Sequence, residues 1–330
     1  MHKNYWQVIF YSCAPFRELL IKFHMADGNR TFHGLVLFTF ILMLVVIFLS
    51  AHMRLTGAGL GCLDWPACYG RNLAGLAPPH PNWVNATHRI AASTMGFTIL
   101  VIATLAWRRR RIAPNDFPPA LALLGLTAFL ALLGKWSHDP RLPAVALGNL
   151  LGGLGLLALL WRLHLGYVPQ YVAYSHLRRR VLLGLGLLVA QIALGGMVSA
   201  GFAALSCSSL SGCDGWLQHA SLADFNPLQM LNVAQGTDFI PGDTQHTLHM
   251  THRFFALLVY CYLAWVGACL MRENMLKSGI LLIATLTLQV ALGAGAVALG
   301  LPLILALFHN ATAAFLLLIL ITLNYQMRRR

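Results

Sequence analysis

Long apolar stretches, separated by short polar or basic segments, follow one another along almost the whole chain. A helix that crosses a bilayer needs about 20 consecutive, mostly apolar residues. Stretches of that kind occupy residues 33–53, 84–107, 117–137, 143–163, 181–201, 246–271, 278–300 and 302–325. The pattern predicts an all-α integral membrane protein with eight transmembrane helices.

Composition excludes a soluble protein. Hydrophobic residues make up 58% of the chain and charged residues only 10%, with a mean hydropathy of +0.67. Such a chain cannot cover a soluble surface with solvated groups. The longest polar interval, residues 202–245, is too short for a sizeable core of its own, so we expect it to cap the second half of the helices.

Basic residues gather in alternate intervals between the apolar stretches. They lie before the first, after the second, between the fourth and fifth, after the sixth and at the end of the chain. The positive-inside rule assigns those intervals to the cytoplasm, which puts both termini inside the cell (inner) membrane. Residues 1–32 lack the pattern of a removable signal peptide, and we expect a cytoplasmic segment there.

The net charge of +13 follows from this topology and from contact with the lipid bilayer. Nucleic acid is therefore not an expected partner. A homo-oligomer is compatible with the composition.

Cysteine pairs occur in two of the outer intervals. Cys62 and Cys68 form one pair, Cys207 and Cys213 the other, each with the same spacing. An outer compartment in a bacterium is oxidising, and short loops favour local closure, so we expect a disulfide within each pair. The alternative is two free or metal-binding thiols per loop, although the spacing differs from that of a zinc knuckle.

A Thr-His-Arg triplet follows each cysteine pair and opens an apolar helix, with its histidine at His88 and at His252. This repetition predicts two parallel-repeat four-helix bundles, related by an axis along the membrane normal. Short similar segments, which begin at Leu130, Gln191 and Gln289, contain small residues that allow close helix approach. The predicted divisions are a first half at 33–163, a linker at 164–180, a second half at 181–325 and a basic tail at 326–330.

Histidines inside a membrane are costly and suggest a role. His252 has a counterpart in His309, which follows Pro302 on the last helix at a compatible depth. Two such histidines on opposed helices of a bundle can ligate a haem iron from both sides. At the corresponding place in the first half stands Asn149, and an amide is a poor ligand for haem iron. The first half is therefore predicted to bind a haem from one side through His88, or to bind it in another way.

A distinctive stretch precedes the first cysteine pair and includes it. Residues 54–68 read R-L-T-G-A-G-L-G-C-L-D-W-P-A-C. With the two His-Arg helix starts and the duplicated plan, this stretch resembles the haem A synthase family over residues 33–325. The resemblance implies haem b between His252 and His309, and haem O as substrate in the first half. It also implies oxidation of a ring methyl group of haem O to a formyl group, with haem O synthase and an electron donor as partners.

Two positions depart from that family, and both lie in the half that the substrate would occupy. Asn85 stands where relatives commonly carry a glutamate, and Asn149 where they carry a histidine. One hypothesis is that Asn85 and Asn149 hydrogen-bond the substrate haem while His88 ligates its iron. The other hypotheses are that His52, His80 or His138 substitutes, or that this half has lost catalysis. We favour retained haem A synthesis with an altered substrate site at His88, Asn85 and Asn149.

Polar residues beside the two helix histidines have two interpretations each. Arg89 and Arg253 could bind haem propionates, because guanidinium matches carboxylate geometry, or extend to lipid headgroups. His249 could contact a propionate or face interfacial water. An alternative function is a membrane b-type cytochrome that transfers electrons without making haem A. A transporter fits less well, because broken helices with charged midplane residues are missing from the pattern.

Overall fold

The computed structural model describes residues 14–58, 82–136, 141–167, 176–207, 213, 216–231 and 241–327, with the backbone alone for 14–28 and 82. Within these residues the secondary structure is helical, without strands. The long helices are α1 (Ala14–Gly57), α2 (Asn82–Arg108), α3 (Phe117–Leu133), α4 (Pro143–Leu165), α5 (Arg178–Ala200), α6 (Asp243–Arg272), α7 (Leu276–Ala298) and α8 (Leu303–Gln326). Each provides an apolar segment long enough to cross a membrane; for α3 this segment includes the following 3-10 turn, Gly134–Trp136. The all-α prediction with eight such helices is therefore confirmed.

Proline and glycine set several helix ends. Pro118 and Pro143 lie in the first turns of α3 and α4, where a missing N–H breaks no helical hydrogen bond. Between α7 and α8 the chain reverses at Gly300 and Leu301, with φ of 70° and 63°. Pro302 then precedes α8. This tight reversal places α8 beside α7, as a short connection requires.

Helix α1 is much longer than its apolar stretch. It begins at Ala14 and continues to Gly57, whereas the hydrophobic pattern predicts a start at residue 33. No proline follows Pro15 until residue 66, so nothing interrupts the helical backbone before the membrane segment begins. The part of 1–32 from Ala14 onwards is therefore a helical extension of the first membrane helix.

The eight helices form two rings of four. In the first, α1 packs against α2 and α4, and α3 packs against the same two helices. In the second, α5 and α7 each pack against α6 and α8. Thus α2 lies diagonally across from α4, and α6 diagonally across from α8. The order of contacts is the same in both rings. The parallel repeat and its symmetry axis stay predictions.

The main contacts between the two rings are made by α1 with α8, α4 with α5, and α4 with α8. The last helices of both halves are thus neighbours. Near the end that is predicted to be cytoplasmic, Trp161 Nε1 on α4 donates to Thr322 Oγ1 on α8 at 2.8 Å. One apolar core runs through both rings, and it includes Met43, Leu157 and Leu320.

The interval between α5 and α6 covers more than the second half. Ala144 N–H on α4 donates to the carbonyl of Pro227 at 2.9 Å, and Leu231 N–H donates to the carbonyl of Arg141 at 2.9 Å. It also contacts α6, where the rings of Trp216 and Phe254 stack with centroids 5.9 Å apart. The interval thus contacts the second half, as expected, and in addition the start of α4 in the first half. Backbone groups at the start of α4 that have no partner within the helix form hydrogen bonds with the interval between α5 and α6.

Candidate functional site

His252 and His309 lie on the diagonal helices of the second ring. His252 is on α6 and His309 on α8, each a few turns from the end where α6 and α8 begin. The ring of His252 contacts α5, and the ring of His309 contacts α7, both of which are neighbours of α6 and α8. Both imidazoles therefore lie against helices of their own bundle rather than on its lipid face.

Gln191 of α5 holds His252. Its Nε2 lies 3.0 Å from His252 Nδ1 and donates to the backbone carbonyl of His252 at 3.1 Å. Gly195, one turn further along α5, lies so close that a β-carbon there would be 2.9 Å from His252 Cε1. The side-chain amide of Gln191 and the backbone at Gly195, which has no side chain, thus fix the position of the His252 ring.

Gln289 of α7 holds His309 in a related way. The Gln289 carbonyl lies 3.1 Å from His309 Nδ1, and Gln289 Nε2 lies 3.2 Å from His309 Nε2. A β-carbon at Gly293 would be 2.9 Å from His309 Cε1. The sequence shows these short segments only as small-residue repeats, and it does not reveal their contacts with the histidines.

The first half carries its predicted site residues on α2 and α4, which are also diagonal to each other. His88 and Asn85 are half-buried on α2, and Asn149 is half-buried on α4. Of the three substitute histidines, only His52 lies within the described residues, on α1; His80 and His138 lie outside them. His52 Nδ1 is buried and has no hydrogen-bond partner among the described residues, so this nitrogen is available to a ligand.

Close packing around Asn149 differs from that around His309. Here the glycines are on α4 itself, and leucines of α3 fill the space beside them. A β-carbon at Gly148 would be 2.7 Å from Leu133 Cδ2, and one at Gly152 would be 2.5 Å from Leu130 Cδ2. Leucine methyl groups, rather than an amide, face this part of α4.

Arg54, from the distinctive stretch before the first cysteine pair, joins the two rings. Its Nη1 donates to Ser199 Oγ on α5, and its Nη2 donates to Asn310 Oδ1 on α8 at 3.3 Å. Asn310 is the residue after His309. The guanidinium of the first half is thereby hydrogen-bonded to the side chain next to a predicted haem ligand, a contact that sequence alone does not indicate.

The two arginines of the Thr-His-Arg triplets differ in burial. Arg89 is exposed, whereas Arg253 is half-buried, with Nη1 3.9 Å from Met250 Sδ. His249 is only 4% exposed, and its Nδ1 lies 3.4 Å from Ser206 Oγ. The interpretation that His249 faces interfacial water was therefore wrong.

A disulfide joins Cys207 and Cys213, the second cysteine pair, with 5.2 Å between their Cα atoms. It follows Ser206, whose Oγ also donates to the carbonyl of Gln245 at 3.1 Å. The first pair, Cys62 and Cys68, lies outside the described residues. Cys261 and Cys269 are free thiols on α6.

The donor set of the second ring fits a haem better than a metal ion bound by protein alone. No group of three or more His, Cys, Asp or Glu side chains that could hold a metal ion occurs among the described residues. A porphyrin supplies four nitrogen ligands itself and needs only two from the protein, on opposite sides of the iron. His252 and His309, on diagonal helices, would supply these two ligands.

Comparison with known proteins agrees with the family resemblance that was based on residues 54–68. The COX15-CtaA family, described as cytochrome oxidase assembly protein, matches residues 33–82 and 77–321. The Heme A synthase of Shewanella oneidensis is 35% identical over 312 residues, which cover 87% of this chain and 94% of that protein. The Heme A synthase of Novosphingobium aromaticivorans is 30% identical over 250 residues, 71% of this chain and 68% of that protein.

A shorter match, to the Heme A synthase of Shouchella clausii, is 31% identical over 93 residues, or 28% of this chain and 31% of that protein. The family match covers nearly all of the membrane helices. The chain therefore belongs to the COX15-CtaA family of cytochrome oxidase assembly proteins.

Proposed function

We propose that this protein makes haem A from haem O by oxidising a ring methyl group to a formyl group, with haem b as its resident cofactor. The observation that carries the proposal is the pair His252 and His309, on diagonal helices, each ring held by a neighbouring helix. The family and the Heme A synthase relatives support haem A formation for cytochrome oxidase assembly.

The second ring suits an electron-transfer site. Haem bound there would supply a redox-active iron. His252 and His309 would hold this haem through their imidazole nitrogens. The helices on either side, α5 and α7, keep the rings from turning away.

The first ring suits a substrate site. His88 on α2 offers one imidazole, and across the bundle α4 offers the amide of Asn149, which binds iron poorly. Dioxygen would be the oxidant of the methyl group in this scheme, with the remaining electrons coming from the electron donor. Asn85 and Asn149 hydrogen-bond the substrate in this scheme, and His52 Nδ1 is a further available donor or acceptor.

Contact between the rings supports their cooperation. Asn149 is on α4 and His309 on α8, and these two helices pack directly against each other. A short path between the sites suits the passage of electrons out of one and into the other. Arg89 and Arg253, each next to a ligand histidine, are the proposed partners of haem propionates.

The proposal extends to partners and orientation. Haem O synthase supplies the substrate, and an electron donor supplies electrons to the resident haem. The protein lies in the cell (inner) membrane with both termini in the cytoplasm and the cysteine loops outside, an orientation supported by the distribution of basic residues.

A second candidate function is a b-type cytochrome that transfers electrons without making haem A. The packing around Asn149 favours it, because Leu130 and Leu133 fill the space next to α4 glycines. In this case only the second ring would hold a haem.

Haem extraction separates the two functions. The purified protein is compared after expression with and without haem O synthase, and its haems are separated by chromatography. We expect haem b in both preparations and haem A only with the synthase, and His309→Ala should remove haem b. Haem b without haem A would favour the cytochrome, and no haem in either preparation would refute both functions.

A matched pair of variants checks the assignment of the two rings. His88→Ala should abolish haem A formation while haem b stays bound, because His88 belongs to the other bundle. His252→Ala should lose haem b itself. Equal loss of haem b from both variants would contradict the division into a resident site and a substrate site.

A further inference from the structure

One short sequence motif occurs on both helices that contact the predicted haem ligands. Gln-x-Ala-Leu-Gly occupies 191–195 on α5 and 289–293 on α7. Glutamine and glycine are four residues apart and therefore lie on the same helix face. Each copy contacts the histidine of the helix that follows it in the chain.

The hydrogen bonds of His309 define which ring nitrogen is free for a metal. A carbonyl can only accept, so the contact of 3.1 Å to Gln289 O places a proton on Nδ1. Nε2 then carries the lone pair. Metal-binding histidines commonly have this arrangement, with the second ring nitrogen donating to a backbone carbonyl. The Gln289 amide, 3.2 Å from Nε2, donates to the same lone pair that iron would use.

The contacts of His252 are made by a side chain instead. Gln191 Nε2 binds both the carbonyl and Nδ1 of this residue, whereas Gln191 Oε1 is buried without a partner among the described residues. Ligation through Nε2 requires a proton on Nδ1. If the amide turns over, it gives up its bond to the His252 carbonyl, and Oε1 becomes the acceptor for the Nδ1 proton.

The same oxygen of the second glutamine is also unsatisfied. Gln289 Oε1 is buried and has no hydrogen-bond partner among the described residues. A buried amide oxygen without a hydrogen-bond partner destabilises the fold. Two equivalent glutamines with the same unsatisfied oxygen, beside two equivalent histidines, are more readily explained by a shared role than by packing alone.

The first half provides a contrast within the same chain. At the place of Gln289 its segment has Leu130, and at the place of Gly293 it has Gly134. A β-carbon at Gly134 would meet nothing within 4 Å. The motif and its contacts are thus absent where the histidine is replaced by Asn149.

We propose that Gln191 and Gln289 are positioning residues that orient His252 and His309 for iron ligation. This inference rests on the proposed haem b site. Gln191 acts on the nitrogen remote from the metal and sets the tautomer of His252. Gln289 occupies the ligating nitrogen of His309 until haem replaces it, and its carbonyl sets the tautomer.

The experiment compares the purified full-length protein with Gln191→Leu, Gln191→Glu and Gln289→Leu. It measures haem b per chain, the rate of haem transfer to excess apomyoglobin, and the low-spin electron paramagnetic resonance spectrum. Removal of a group that orients a metal ligand typically weakens metal affinity by about 10- to 100-fold. We expect faster haem loss of that order from both leucine variants.

Gln191→Glu keeps an acceptor for the Nδ1 proton, so it should retain haem better than Gln191→Leu. Leu130→Gln, at the equivalent place in the first half, serves as the control and should leave haem b retention unchanged. Haem loss at the unmodified rate from both leucine variants, with an unchanged spectrum, would overturn the positioning role.

The remaining outcomes are also decisive. If the leucine variants do not fold, Gln191→Glu decides: a spectrum and haem loss like those of the unmodified protein support the role of the acceptor, and loss as fast as from His252→Ala refutes it. If the unmodified protein binds no haem b, the proposed function fails, whatever the glutamine variants do.

Discussion

At the scale of single residues, the candidate site in the second ring depends on the side chains that contact the two histidines. His252 and His309 could be predicted from sequence, because an imidazole among apolar residues is conspicuous. The glutamines could not, because a glutamine inside a membrane helix has many explanations until its partner is known. Gln191 and His252 are 61 residues apart in the chain, and only folding brings them to 3.0 Å.

Glycine substitutions test the close contacts around the histidines. Gly293→Ala should push the ring of His309 away from its position, because the new β-carbon would lie 2.9 Å from Cε1. Overpacking of this kind typically costs about 1–3 kcal/mol. We expect less haem b per chain and faster haem loss, measured by absorbance during transfer to apomyoglobin.

Gly134→Ala is the matched control, because its β-carbon would meet nothing within 4 Å. It should bind haem b like the unmodified protein. Similar haem loss from both alanine variants would show that the close contact at Gly293 has no special importance.

At the scale of helices, α3 and α7 occupy equivalent places but present different surfaces. Helix α7 offers an amide and a glycine to the ligand histidine of α8. Helix α3 offers leucines to the glycines of α4. A ligand histidine at 149 would therefore lack the support that His309 receives.

Rebuilding the first half tests this difference. Asn149→His combined with Leu130→Gln should bind a second low-spin haem, because His88 would then have a supported partner across the bundle. Asn149→His alone should bind it more weakly, by about 10-fold or more, for want of an orienting group. Pyridine haemochrome analysis gives the haem content, and titration with haemin gives the affinity.

Equal affinity in the single and double variants would contradict a need for the glutamine. Neither variant gaining a second haem would show that the leucine packing around residue 149 excludes it. Leu130→Gln alone is the control for effects of the buried amide.

At the scale of the whole molecule, the two rings are held together by α1, α4, α5 and α8, with Arg54 crossing between them. Arg54→Lys keeps the charge, yet an ammonium cannot match the two diverging bonds of a guanidinium to Ser199 and Asn310. Hydrogen bonds to charged groups contribute about 1.5–3 kcal/mol each. We expect the thermal unfolding midpoint in detergent to fall by several degrees.

Arg179→Gln is the comparison, because this arginine is exposed at the start of α5. Its unfolding midpoint should stay close to that of the unmodified protein. An Arg54→Lys midpoint equal to that of Arg179→Gln would show that the contact between the rings adds nothing to stability.

The sequence by itself determined the number, order and approximate limits of the membrane helices. In a bilayer each helix must satisfy its own backbone hydrogen bonds and present continuous apolar length, so the pattern is local. The start of α1 escaped this reasoning, because a helix can continue beyond the membrane wherever nothing interrupts it.

Only the tertiary structure decided which helices are diagonal, which side chains orient His252 and His309, and what surrounds Asn149. Apolar helices that look alike in sequence can pack in several orders, because lipid and protein interiors are similarly apolar. Their arrangement depends on close packing and on a few polar contacts between distant segments. Those contacts make the second half of the chain different from the first.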